Sequence, residues 1–294
     1  MPKKDLVISH TIAKTEDGSV QITFDIPFEL ISEAREETLK EYAESVDVPG
    51  FRKGKAPIEE IKKRVPEASV IEHTLGHILP KALGQAITEG KLKLAIYPKF
   101  ELIRAKEGEN WEVRAVSCEI PEVSLGDYKK VITGSGRAKA IWTPEKGSPK
   151  EQKGPSKEEK EQEIIKVLLE TVKVAIPKIL IEEEVNARLS SLLERIEKLG
   201  LNLEGYLGSL GKTADGLRTE YEAQASGSIS LDLILTAVAR EEKIQIKEAE
   251  IDAAIKAASA DPKIGERLNT PEQRRVIAGV LARRAALDSL TALL

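Results

Sequence analysis

The sequence predicts an α+β fold, an N-terminal β-β-α-α-β-β unit followed by an all-α domain. Apolar residues alternate with a period of two near the N-terminus and again over residues 91–120, with helical spacing between these stretches. Beyond residue 156 every apolar pattern is helical. With 294 residues, the chain is long enough for two domains with separate cores.

Leu6, Ile8, His10 and Ile12 share one side of a first strand. After a turn at Asp17-Gly18, Val20, Ile22, Phe24 and Ile26 face away from Gln21, Thr23 and Asp25. This pattern is a β-hairpin with one buried face. From Pro27 the period becomes helical, through Phe28, Ile31, Ala34, Leu39, Tyr42 and Val46, and it breaks at Pro49-Gly50. A second helix begins at Pro57, whose missing N–H costs nothing in a first turn, and Glu59 and Glu60 suit the positive end of its dipole. Pro66 interrupts, and a longer helix runs to about Gly90. "KLKLAIYP", "KFELIRA" and "NWEVRAVSCEI" are strand-like, the last continuing into "PEVSLGDY".

Residues 129–156 shift to Gly, Pro, Ser and Lys and read as a linker, with Val131-Ile132 and Ile141-Trp142 as its apolar pairs. Helices follow, starting at a capping box formed by Ser156 and Glu159. The next starts within "KVAIPKILIEEEV" and stops at Gly200. A long one spans about Thr213 to Glu242, weakened by Gly216 and Gly227, and a shorter one covers roughly Lys247 to Ser259. The last has Thr270 as N-cap, Pro271 at its first position and Gln273 closing the box.

Composition narrows the function. The 45 basic and 49 acidic residues leave a formal charge of -4, so binding to nucleic acid or anionic membrane has to be local. The single cysteine, Cys118, has no partner for an internal disulfide, and "MPKKDLVISH" has no apolar stretch behind its lysines. A reducing cytoplasm is the expected location. No run approaches the roughly 20 apolar residues of a membrane span, and the 4% aromatic content disfavours an aromatic-lined cofactor pocket.

The segment "VPGFRKGKAP" stands apart. Gly50 and Gly54 allow positive φ on both sides of Phe51, Arg52 and Lys53, which places that tip at the end of a helical hairpin. Arg52, Lys53 and Lys55, with Lys62, Lys63 and Arg64 beyond, concentrate positive charge on an otherwise acidic chain. Guanidinium and ammonium groups pair with carboxylates or phosphates, and Phe51 offers an apolar or stacking contact. Composition alone fits an ordinary solvated loop equally well.

The order of residues favours the docking reading, because Gly50-Phe51-Arg52-Lys53-Gly54-Lys55-Ala56-Pro57 resembles the G-F-R-x-G-K-x-P signature of trigger factor, the bacterial ribosome-associated chaperone family. "VAIPKILIEEEVNARLSSLLERI", "GKTADGLRTEYEAQASGSISLDLILTAVAREEKI" and "IKEAEIDAAI" are similar to that family's helical domain. The resemblance implies a ribosome-binding domain at 1–128, a linker at 129–156 and a helical chaperone domain at 157–294. It implies that Gly50, Phe51, Arg52, Lys53, Gly54, Lys55 and Pro57 form a contact with the large ribosomal subunit, beside the exit tunnel, touching a ribosomal protein and rRNA. Nascent or unfolded polypeptides are the implied clients, with a homodimer of the free protein as a further state and no membrane partner. Exposed apolar residues of the "VNARLSSLLERI" helix and those near Val280 and Leu281 would help line a client cradle, although most of them are expected to be core.

One departure stands out. The family usually carries a prolyl isomerase domain between these parts, whereas a folded domain takes roughly 50 residues or more and residues 129–156 lack apolar content and strand pattern. The expected protein is therefore not an enzyme, is independent of ATP and needs no cofactor. A prolyl isomerase with an unrecognised site and an RNA-binding ribosome-assembly protein remain as alternatives.

Other motifs read as structural. His73 and His77 are four apart on one helix, but Cys118 and His10 sit in other elements and Glu72 points about 100° away, so no third metal ligand is apparent. His10, on the apolar side of a strand, is assigned no role. "GYLGSLGKT" ends like a phosphate loop but has Tyr206 where the first glycine belongs. "TGSGRA" lacks the third glycine of a dinucleotide fingerprint.

Overall fold

The computed structural model describes residues 8–47, 51, 57–106, 108–140, 156–258 and 267–293. Its contacts divide the chain into two compact units, Met1–Ile120 and Pro121–Leu294.

The first unit is built on a four-stranded antiparallel sheet, β1 (Ser9–Lys14), β2 (Ser19–Ile26), β3 (Lys99–Arg104) and β4 (Trp111–Cys118), in the order β1-β2-β4-β3. Ile22 lies opposite Ala115 and Phe24 opposite Val113, so one face collects Val20, Ile22, Phe24, Ile26, Trp111, Val113 and Ala115, all buried. That alternation is the period-two pattern of the sequence turned into a surface. The helices α1 (Phe28–Ser45), α2 (Ile58–Arg64) and α3 (Glu67–Gly90) lie between β2 and β3 in the chain. Ile31 and Ala34 from α1, with Leu75, Ile78, Leu79, Ala82, Leu83 and Ala86 from α3, cover the sheet face.

The strand expected over 91–98 does not form. Leu94 makes an isolated bridge to Glu119, and Ala95 N–H donates to the Cys118 carbonyl at 2.8 Å. The Ile96 carbonyl then accepts from the Ser117 hydroxyl at 2.8 Å rather than from a backbone amide, and Pro98 has no N–H to donate. Nor does β4 continue into "PEVSLGDY". Val123 and Leu125 instead pack against the core of the second unit.

That unit is helical: α4 (Tyr128–Ala140), α5 (Lys157–Thr171), α6 (Lys178–Lys198), α7 (Leu203–Leu210), α8 (Ala214–Glu241), α9 (Glu248–Ala258) and α10 (Pro271–Thr291). The start of the expected linker is thus a helix, and Tyr128 and Ile132, one turn apart, are buried with Ile164, Leu168, Ile234, Val238 and Leu290. Residues 141–155, the rest of that stretch, lie outside the described residues.

A smaller core of Leu192, Ile196, Leu207 and Leu217 joins α6, α7 and the start of α8. The long α8 therefore contributes to both cores and is continuous through Gly216 and Gly227. Arg188 ties α6 to α8, donating to Glu184 Oε1 at 2.7 Å and to Ser228 Oγ at 2.8 Å.

Candidate functional site

The segment joining α1 to α2 carries the candidate docking residues. Its first stem ends at Val46, whose N–H donates to the Tyr42 carbonyl at 2.8 Å. Its second stem starts at Pro57, which is the N-cap of α2 and accepts from Glu60 N–H at 3.0 Å. Both stems rest on a small core of Leu39, Ile61, Val65 and Val70, with Tyr42, Ala43 and Val46 packed against it. The two helices that flank the segment thus share an apolar base. Phe51, by contrast, is 44% exposed. Gly50, Arg52, Lys53, Gly54 and Lys55 lie outside the described residues.

Charge beside the loop follows the dipole of α2. Glu59 and Glu60 occupy its first turn and Lys62, Lys63 and Arg64 its last, all of the latter exposed. Lys63 donates to Glu60 at 2.7 Å, and this hydrogen bond pushes the lysine pKa up and the glutamate pKa down.

The first unit also has an apolar groove of about 580 Å³ between α3 and the sheet, lined by Ile71, Leu75, Leu79, Tyr97, Phe100 and Leu102 among others. In the second unit, Leu193, Val276 and Val280 are exposed, whereas Leu192 and Ile196 are buried and Leu281 is half-buried. Of the residues expected to line a cradle, some are surface and others are core. Their helical period alone does not distinguish the two.

The remaining candidates separate on geometry. "GYLGSLGKT" is mostly α7, capped by Asn202 at its start and by Gly211 at φ 63° at its end, and Lys212 pairs with Glu220. Thr213 accepts from Gly216 N–H at 3.1 Å as the N-cap of α8. Residues 133–138, "TGSGRA", lie inside α4 and open no helix. His10 is half-buried beside Phe24, its Nε2 3.6 Å from Glu89. For His73 and His77 the structure corrects the sequence reading: a third ligand-type group is present, the Glu41 carboxylate on α1.

Among the described residues no helix is long and apolar enough to cross a membrane.

Comparison with known proteins gives a consistent family. Residues 8–138 match the family model described as bacterial trigger factor protein, and residues 145–291 match the one described as bacterial trigger factor protein C-terminus. A trigger factor from Streptococcus agalactiae serotype Ia is 32% identical over 120 residues, covering 41% of this chain and 28% of the relative. The Lactococcus lactis trigger factor is 33% identical over 116 residues, covering 40% and 27%. These alignments span less than a third of the relatives' length. A solved structure, reported for promiscuous substrate recognition in folding and assembly by the trigger factor chaperone, covers 97% of this chain and 99% of its own, with a TM-score of 0.62 and 14% identity. That likeness establishes the shared fold, including a sheet unit followed by helices. With family models matching both halves, the chain belongs to the trigger factor family.

Proposed function

We propose that this chain is an ATP-independent chaperone that docks on the large ribosomal subunit near the peptide exit tunnel and holds nascent chains by reversible apolar contact. Phe51 is the observation that carries the reading: an exposed aromatic, inside the G-F-R-x-G-K-x-P string, on a loop whose stems are fixed by their own small core. A tip with a rigid base loses little further entropy when it docks. Arg52, Lys53 and Lys55 would supply contacts to phosphate or carboxylate, and Gly50, Gly54 and Pro57 would shape the turn.

Client holding draws support from the exposed Leu193, Val276 and Val280 and from the groove beside Tyr97 and Phe100. Each apolar client side chain covered would contribute about 1.5–3 kcal/mol, a scale suited to contacts that a folding client can outcompete. The reading includes no isomerase activity. Only residues 139–144 separate the two matched stretches, far fewer than the roughly 50 residues of a small domain. Cytoplasmic location and a homodimer of the free protein belong to the same proposal.

The test is co-sedimentation with bacterial ribosomes at two salt concentrations, comparing the intact chain with a Phe51→Ala, Arg52→Ala, Lys53→Ala variant. Binding to the large subunit that is lost in a folded variant supports docking. Equal behaviour of the two proteins rejects it.

A further inference from the structure

We propose that Glu41, His73 and His77 form a site for a zinc-class divalent cation that fastens α1 to α3. The Glu41 Oε2 atom lies 3.6 Å from His73 Nδ1 and 3.4 Å from His77 Nε2. Both separations exceed the roughly 2.7–3.2 Å of an N–H···O hydrogen bond. The edge of a coordination tetrahedron with metal–ligand bonds of about 2.0–2.1 Å is about 3.3–3.4 Å; the His77 separation equals it and the His73 separation exceeds it by about 0.2 Å. Each of the three residues offers a ligand atom within 4.8 Å of the other two, so the remaining edge would close to tetrahedral length by a movement of at most about 1.5 Å.

The donor set selects the ion. Two imidazole nitrogens and one carboxylate oxygen suit zinc, cobalt or nickel, whereas calcium and magnesium prefer oxygen ligands. The three side chains are 46%, 32% and 45% exposed, for His73, His77 and Glu41, leaving solvent access and a fourth position for water.

The ligands stand on a fixed frame. The Tyr42 ring packs on His73 with centroids 5.4 Å apart, and its hydroxyl donates to the Ser69 carbonyl at 3.3 Å. One turn before Glu41, Thr38 is buried against Thr74, with their hydroxyl oxygens 3.4 Å apart. Metal binding would lock α1 at the turn leading into Tyr42, Ala43 and the C-cap residue Val46, which pack at the base of the 46–57 loop. The inference does not depend on what that loop contacts.

The experiment is calorimetric titration of the tag-free full chain with Zn²⁺, backed by Co²⁺ absorption spectra and thermal melts with and without zinc. Expected are one zinc per chain, a tetrahedral Co²⁺ spectrum and a Tm raised by zinc. His73→Ala, His77→Ala and Glu41→Gln should each weaken binding at least tenfold and abolish the Tm rise, while His10→Ala binds like the parent. All three positions are exposed and helical, so circular dichroism should show the variants folded. Absence of saturable binding to the parent chain, or binding undiminished in the His73→Ala, His77→Ala double variant, overturns the proposal.

Discussion

Tyr128 donates its hydroxyl to Glu241 Oε1 across 3.4 Å, joining the first residue of α4 to the last of α8. Beside it, Lys129 reaches Glu242 at 3.1 Å, and Glu242 accepts from the Ser289 hydroxyl at 2.6 Å. The Tyr128 ring is buried, and burial followed by the nearby Glu241 charge pushes its pKa up. A segment with the composition of a linker is thus part of the helical core. Tyr128→Ala should destabilise the second unit by about 3–5 kcal/mol, the cost of emptying an aromatic site. Tyr128→Phe keeps the ring, loses one long hydrogen bond to an exposed carboxylate, and should cost about 0.5–1 kcal/mol. Urea unfolding followed by far-ultraviolet circular dichroism reads both. An alanine variant as stable as the parent would show that α4 is not core.

Lys91 ends α3 in the left-handed region, at φ 49° and ψ 38°. Its N–H donates to the Thr88 carbonyl at 3.4 Å, and Leu92 N–H donates to Ile87 at 3.0 Å, the bond pattern of a glycine-type helix stop with lysine in the strained position. Lys91→Gly should therefore stabilise the first unit by roughly 0.5–1 kcal/mol, relief of the Cβ clash being partly offset by a freer unfolded chain. Chemical denaturation provides the measurement. A destabilised variant would mean that the lysine stem contributes packing that outweighs the strain.

What was legible in the chain follows from how locally each feature is determined. The capping box of Ser156 and Glu159 forms with bonds of 2.9 and 3.2 Å, and Thr270 accepts from Gln273 N–H at 3.3 Å, because caps are closed by residues three apart. The sheet face was legible for the same reason. Helix α4 was not, since it is set by burial of Tyr128 and Ile132 against residues from α5, α8 and α10. Glu41 is not legible beside His73 and His77, because packing of α1 on α3, not sequence spacing, brings it there. The docking string was readable as order alone, while exposed Val280 and buried Leu192 share an apolar identity and differ only in their neighbours.

Cys118 ends β4 fully buried, and burial, with a smaller effect of the Asp17 charge, raises its thiol pKa. Reaction with a thiol reagent needs the thiolate and physical access, and both are denied in the folded unit. Labelling of the native protein at neutral pH should be slow and should accelerate sharply in denaturant, following the unfolding of the first unit. Mass spectrometry of pulse-labelled samples tests this. Rapid, stoichiometric labelling without denaturant would contradict the buried placement.

Asp288 on α10 accepts from Lys157 Nζ on α5 at 2.8 Å, and Arg284 both contacts Asp288, at 3.4 Å, and donates to Glu161 at 3.1 Å. The Lys157 hydrogen bond chiefly, with Arg284 behind it, holds the Asp288 carboxyl below its ordinary value of 3.8. A carboxyl with a lowered native pKa binds fewer protons folded than unfolded. Its contribution is therefore complete above the unfolded value and lost as the pH falls through the lower native one. The group is 39% exposed, so solvent screening keeps that contribution under about 1 kcal/mol. Asp288→Asn should be slightly less stable than the parent at pH 6, and the gap should close as the pH drops below about 3.8. Paired urea titrations across that range give the answer. A gap that widens in acid would show that Asp288 is held protonated in the fold, the reverse of what its two cationic neighbours dictate.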